Sequence, residues 1–138
     1  MKLWAIYSDA HTEVDIYGDR EGLRTLAAAA SQADGLELPL NEPPVARLEF
    51  GHPVGSIRVA PSEAGDPRIC FGRDGSVWVL SGNTHELSRI VASSIAHLAD
   101  GPETQNGVGS HLHLDPTSDL ERQFYRPDSG SVVVGFDP

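Results

Sequence analysis

The chain has 138 residues, 39% of them hydrophobic and 22% charged, and a formal net charge of −10. A chain of that length suits one domain of two packed layers, and it has no apolar run near the roughly 18 residues of a membrane-spanning helix. The acidity is spread over both halves. It repels nucleic acid and anionic lipid and favours cationic partners, although plain solubility also accounts for it.

The opening Met1-Lys2-Leu3-Trp4-Ala5-Ile6-Tyr7-Ser8-Asp9 has one lysine and a short apolar stretch followed by acid, so it reads as a first strand over 2–8, not a signal peptide. After a polar turn at Asp9-Ala10-His11, residues 12–17 alternate as a half-buried strand does. Gly18-Asp19 opens a helix to about Ala33, with Leu23, Leu26, Ala27 and Ala30 on one stripe; Asp34-Gly35 stops it. Leu36 to Leu40 reads as a short strand, ended by Asn41-Glu42-Pro43-Pro44. Residues 45–50 and 56–60 are expected as strands around Gly51-His52-Pro53-Val54-Gly55, and 61–67 as a polar loop. Strands at 68–71 and 76–81 flank a hairpin turn at Asp74-Gly75, and Val77-Trp78-Val79-Leu80, apolar on both faces, suits a central strand.

Cys70 is the only cysteine, so no internal disulfide forms, and its neighbours Ile69 and Phe71 suggest inert packing. Trp4 and Trp78 read as core. A second helix runs from the N-cap Asn83, with Glu86 placed for a capping box, to about Ala99, where Asp100-Gly101-Pro102 ends it. Strands at 110–115 and 131–136 follow, with a short helical turn between them.

At an offset of 64 residues, Gly18 aligns with Gly82, Leu23 with Leu87, Leu26 with Ile90 and Ala27 with Val91. Amphipathic helices share such spacing by chance, so duplication and coincidence both stand. The expected fold is α+β: one domain over 1–138, a mostly antiparallel sheet with two helices on one face, and a candidate internal repeat at 12–40 and 76–115.

His111, His113 and Asp115 alternate, so on a strand they share one face, and such a trio would suit zinc. His-x-His-x-Asp also begins the metal motif of metallo-β-lactamase-like hydrolases, but Pro116 stands where those enzymes have a histidine. A polar row at a sheet edge, facing solvent or a partner, is the plainer reading, and no metal or cofactor is expected. His11, His52, His85 and His97 have no acid or nucleophile at fixed spacing. Ser81-Gly82-Asn83 lacks a phosphate-loop lysine, Lys2 being the only lysine, so helix capping is the reading there. Phe124, Tyr125 and Arg126 lie among Asp119, Glu121 and Asp128, the anatomy of a protein-binding patch. Alternatively, Phe124 and Tyr125 pin their loop to the core.

The run from Val77 through Gly82, the helix from Glu86-Leu87 to Leu98-Ala99-Asp100-Gly101, His111-Leu112-His113-Leu114-Asp115 and Ser131-Val132-Val133-Val134 together resemble the immunity protein 32 family of bacterial polymorphic toxin systems. The stretch from Ile16 to Leu26 looks like the same strand-to-helix passage. Residues 102–109 and 116–130 carry no pattern of that family. The resemblance implies a small cytoplasmic protein, not an enzyme, that binds and neutralises a toxin of its own cell, often a nuclease. Nucleases tend to be basic, and an acidic inhibitor is steered to them. The expected partner is therefore a basic cognate toxin, met by Asp115, Asp119, Glu121, Tyr125, Arg126 and Asp128 with His111 and His113 adjoining. A small metal-dependent hydrolase and a regulatory adaptor are the alternatives. Toxin identity and oligomeric state stay open.

Overall fold

A computed structural model describes residues 1–8, 13–32, 34–62, 66–101, 111–114 and 122–138. The alternating pattern at the N-terminus produces an antiparallel pair, β1 (Leu3–Ser8) and β2 (Glu13–Gly18), with Trp4 opposite Tyr17 and Ser8 opposite Glu13. Val14 and Ile16 of β2 are buried, while Glu13, Asp15 and Tyr17 on the other face are half-exposed. Asp19 then caps α1 (Arg20–Ala30): one carboxylate oxygen accepts from the Gly22 N–H at 2.7 Å and the other from the Lys2 N–H at 3.0 Å. The cap thus ties the helix start to β1 as well as satisfying a free backbone donor. The helix ends at Ala30, short of the expected Ala33, with the Ser31 N–H closing back on Ala28.

Two sheets form instead of the single one expected. Short strands β3 (Leu36–Pro39) and β4 (His52–Pro53) precede β5 (Ser56–Pro61), β6 (Cys70–Asp74) and β7 (Val77–Gly82); β8 (His111–Leu114) and β9 (Ser131–Phe136) complete the set. The first sheet has the order β4-β1-β2-β9-β8 and the second β3-β5-β7-β6, so β7 is internal as its apolar sequence requires. The reason for two sheets lies in the crossovers: β3, which follows α1, leaves the β1–β2 hairpin for the second sheet, and β8, after the second helix, leaves β6–β7 for the first. Each hairpin also gains a parallel partner in the same alignment. Glu13 faces Ser131 and Gly18 faces Phe136 in one sheet, while Val77 faces Ser56 and Gly82 faces Pro61 in the other.

The second helix, α2, spans 84–100 and consists of Thr84–Glu86, a π-helical stretch Leu87–Ala92, and Ser93–Asp100. Asn83 caps it, accepting from the His85 N–H at 2.8 Å. The capping box is only half made, because the Glu86 carboxylate turns to Arg89 at 2.8 Å and the Asn83 N–H bonds the Pro67 carbonyl. Arg24 pairs with Asp100 and the Arg20 Nε donates to the Ala99 carbonyl at 3.1 Å, joining α1 to the end of α2. One core cluster unites Leu23 and Leu26 of α1, Leu87, Val91 and Ile95 of α2, Val14, Ile16, Val132 and Val134 of the first sheet, and Ile57, Val59, Trp78 and Leu80 of the second. Trp4 and Trp78 are both buried, as their strands imply. No helix among the described residues is long and apolar enough to cross a membrane.

Residues 45–50 are not a strand. Pro44 offers no N–H to a ladder, and apolar side chains at 45, 48 and 50 do not keep a two-residue period. The chain forms a 3-10 turn, Val45–Arg47, with the Leu48 N–H on the Val45 carbonyl.

Candidate partner-binding face

The face of the first sheet turned away from the core collects the side chains of interest. Strand register places Ile6, Asp15, Val133 and His113 in one row across β1, β2, β9 and β8, and Trp4, Tyr17, Gly135 and His111 in the next. The Tyr17 ring lies over Gly135, where an added Cβ would come within 2.5 Å of it, and stacks on Trp4 with centroids 4.8 Å apart. Arg47, from the 3-10 turn, holds its guanidinium over both rings, 5.8 Å from the Trp4 centroid and 5.3 Å from the Tyr17 centroid. The Trp4 indole N–H donates to Asp137 at 2.9 Å.

Glu13 and Asp15 point from β2 into this setting. Burial, then the Glu13 hydrogen bond and charge, push the Asp15 carboxyl up to about 6, against weaker opposing pulls from Arg47 and His113. Its Oδ1 is buried and has no hydrogen-bond partner among the described residues. Burial, and next the Asp15 charge, also raise the Tyr17 phenol. No salt bridge from a described residue reaches Glu13 or Asp15. At neutral pH Asp15 is thus mostly ionised in a place that disfavours its charge, an arrangement suited to receiving a cation from outside.

The residues singled out from sequence fall in different places. His111 and His113 are exposed on the edge strand β8, their rings 5.1 Å apart and edge to face. Asp115, Asp119 and Glu121 lie outside the described residues, as does the Asp9-Ala10-His11 turn. Among the described residues no group of three His, Cys, Asp or Glu side chains is arranged to hold a metal ion. Arg126 and Asp128 form a forked pair at 3.1 and 3.0 Å. Beside it, Arg68 grips Asp66 and holds that carboxyl down at about 2. Exposed pairs of this kind contribute little stability.

Tyr125 does not belong to a surface patch in this conformation. It is 1% exposed, its ring 5.7 Å from Phe71, and its backbone bridges Ile69. It pins its segment to the core, and half-buried Phe124 packs beside it under the Arg89 guanidinium at 4.9 Å. Cys70 is half-buried, with its thiol raised chiefly by burial, which suits packing and not nucleophilic chemistry.

Sequence reasoning passed over Glu13, Asp15, Tyr17 and Arg47. For the first three a signal existed: acid, acid and aromatic residues alternate on one face of a strand that proves internal, where charge is costly unless used. Arg47 had no such signal, because its turn was read as a strand.

A family model described as Immunity protein 32 matches residues 13–30 and 77–137, more than half of the chain. The matched stretches carry Glu13, Asp15, Tyr17, His111 and His113; Arg47 lies between them. The curated proteins and the solved structures gave no match.

Proposed function

The chain belongs to the immunity protein 32 family, and on that premise we propose that it binds and neutralises a cognate bacterial toxin in the cytoplasm, offering the acidic face of its first sheet to a basic partner. The observation that carries the reading is the Asp15 carboxylate, set beside Glu13 on the face away from the core with one buried oxygen unpartnered among the described residues. Two neighbouring carboxylates repel one another in the free chain. A lysine or arginine brought beside the half-exposed pair relieves that repulsion. His111 and His113 extend the contact from the β8 side, and Arg126 and Asp128 add polar rim contacts; Asp115, Asp119 and Glu121, outside the described residues, are further proposed contacts. The net charge of −10 speeds encounter with a cationic toxin. If the toxin is a nuclease, the same charge competes with its polyanionic substrate.

The test is co-expression with the toxic C-terminal domain of a large secreted protein whose gene adjoins that of this chain, the neighbour to be identified first. Cells are expected to survive only when the chain is present, and to lose protection with the Glu13→Gln/Asp15→Asn double variant. Equal killing with and without the wild-type chain would refute the reading.

A further inference from the structure

Next to the acidic face, residues 41–55 hold a cluster of apolar side chains out in solvent. Val45 is 85% exposed, Phe50 65% and Leu48 41%, three of the five large hydrophobic residues that the described structure leaves exposed. Val45 and Leu48 form walls of a groove of about 440 Å³ with Leu40, Pro43, Pro53 and Val54. The segment is fastened at both ends. Asn41 bonds Leu3 twice, through its N–H to the carbonyl and its side-chain oxygen to the amide, both at 2.8 Å. Val54 bonds Ala5, β4 pairs with β1, and Gly51 approaches so closely that an added Cβ would stand 2.4 Å from the Tyr7 carbonyl. Apolar groups presented on an anchored backbone bind at little ordering cost.

Charge selects the occupant. Among the described residues that line the groove, Glu42 is the only charged one. Arg47, the cation of the segment, is turned onto the Trp4 and Tyr17 rings, and Glu13 and Asp15 lie on the adjoining face. The segment falls outside the residues that the family model matches.

We infer that Val45, Leu48 and Phe50 form the apolar anchor of the toxin interface, receiving a toxin surface that presents an apolar side chain flanked by lysine or arginine. The inference rests on the neutralisation reading.

The probe is the toxic domain named above, with its affinity for the purified full chain measured by surface plasmon resonance. Because the side chains are exposed, Val45→Ser/Phe50→Ser should fold as the wild type does and bind about 30-fold more weakly, mainly through faster dissociation. Leu36→Ser, at an exposed apolar residue on β3, should bind as the wild type. Glu42→Lys should weaken binding about 10-fold by meeting the basic flank with like charge. Tight wild-type binding left unchanged by Val45→Ser/Phe50→Ser would overturn the anchor while leaving neutralisation standing. A wild-type chain that neither binds nor protects would end both. A dimer in sedimentation that this double variant dissociates would make a second copy the occupant and overturn the assignment. Unchanged affinity for Glu42→Lys would overturn the basic flank.

Discussion

On the outward face of the second sheet, Arg58 stands between two acids, with its Nε 3.2 Å from Glu37 on β3 and its Nη1 3.6 Å from Asp74 on β6. On the outward face of the first, Glu13 and Asp15 adjoin each other with no such partner among the described residues, although the strands beneath are arranged alike. β2 and β9 run parallel in the same alignment as β7 and β5, so Glu13, Asp15 and Tyr17 occupy the places of Val77, Val79 and Ser81, and Val133 that of Arg58. The helix starts match too: Asp19 bonds the Lys2 carbonyl and Asn83 the Pro67 carbonyl. One plan thus carries a face whose charges are paired within the chain and another whose two acids, among the described residues, form no ion pair. Backbone alone would not distinguish them; the difference lies in a few side chains, which is where function resides.

The comparison breaks most sharply in binding. Glu13→Gln/Asp15→Asn should weaken toxin affinity about 100-fold, in the range found for charged interface pairs, whereas Glu37→Gln/Asp74→Asn should leave it within about twofold. Calorimetric titration of both variants checks this, and equal losses would erase the distinction between the faces.

Stability separates the faces next. Gly135 lies under the Tyr17 ring, while the matching position on β5 is Ala60, which already has a Cβ. Gly135→Ala should cost about 2 kcal/mol in urea denaturation because the ring must move.

A smaller effect follows from pH. The folded-state pKa of Asp15, about 6, lies above its ordinary value of 3.8, so between those values the folded chain holds a proton that the unfolded chain has released. This contribution to stability is full below about pH 4 and is lost as pH rises through about 6. Asp15→Asn should therefore stabilise the chain by about 1 kcal/mol at pH 8, after allowance for solvent screening, and leave it unchanged at pH 4. Denaturation curves at the two pH values would show it. A gain of equal size at both would mean that charge is not the cause.

The smallest expected change is for Glu37→Gln alone, about 0.5 kcal/mol destabilising, since its ion pair with Arg58 is exposed. A loss well above 1 kcal/mol in the same denaturation experiment would show that this face, too, stores substantial charge energy.

How much of this was legible in the sequence depended on the range of the forces involved. The alternation in Glu13–Gly18, the stripe of α1 and the apolar run of Val77–Gly82 are local patterns, and each produced the element expected of it. The division into two sheets was hidden, because which hairpin β3 and β8 join is decided by long-range packing and not by their own residues. Two prolines followed by apolar residues at 45, 48 and 50 signalled the failure of the strand read there, yet the exposure of those side chains could be seen only once the turn was built. Tyr125 shows the same limit: among polar neighbours it reads either as a surface anchor or as a pin to the core, and the contacts with Phe71 and Ile69 that decide for the core come from distant sequence. For the site, His111 and His113 were visible by type and spacing. The alternation of Glu13, Asp15 and Tyr17 was visible too, but the place of Asp15 inside the sheet, next to Val133 and beyond it His113, came from the strand pairing.

The most direct measurement is carboxyl footprinting of the free chain and of its complex with the toxic domain, reading carbodiimide labelling residue by residue. Labelling of Glu13 and Asp15 should fall in the complex while Glu37 and Asp74 label as before. Protection of Glu37 and Asp74 with Glu13 and Asp15 left open would contradict it.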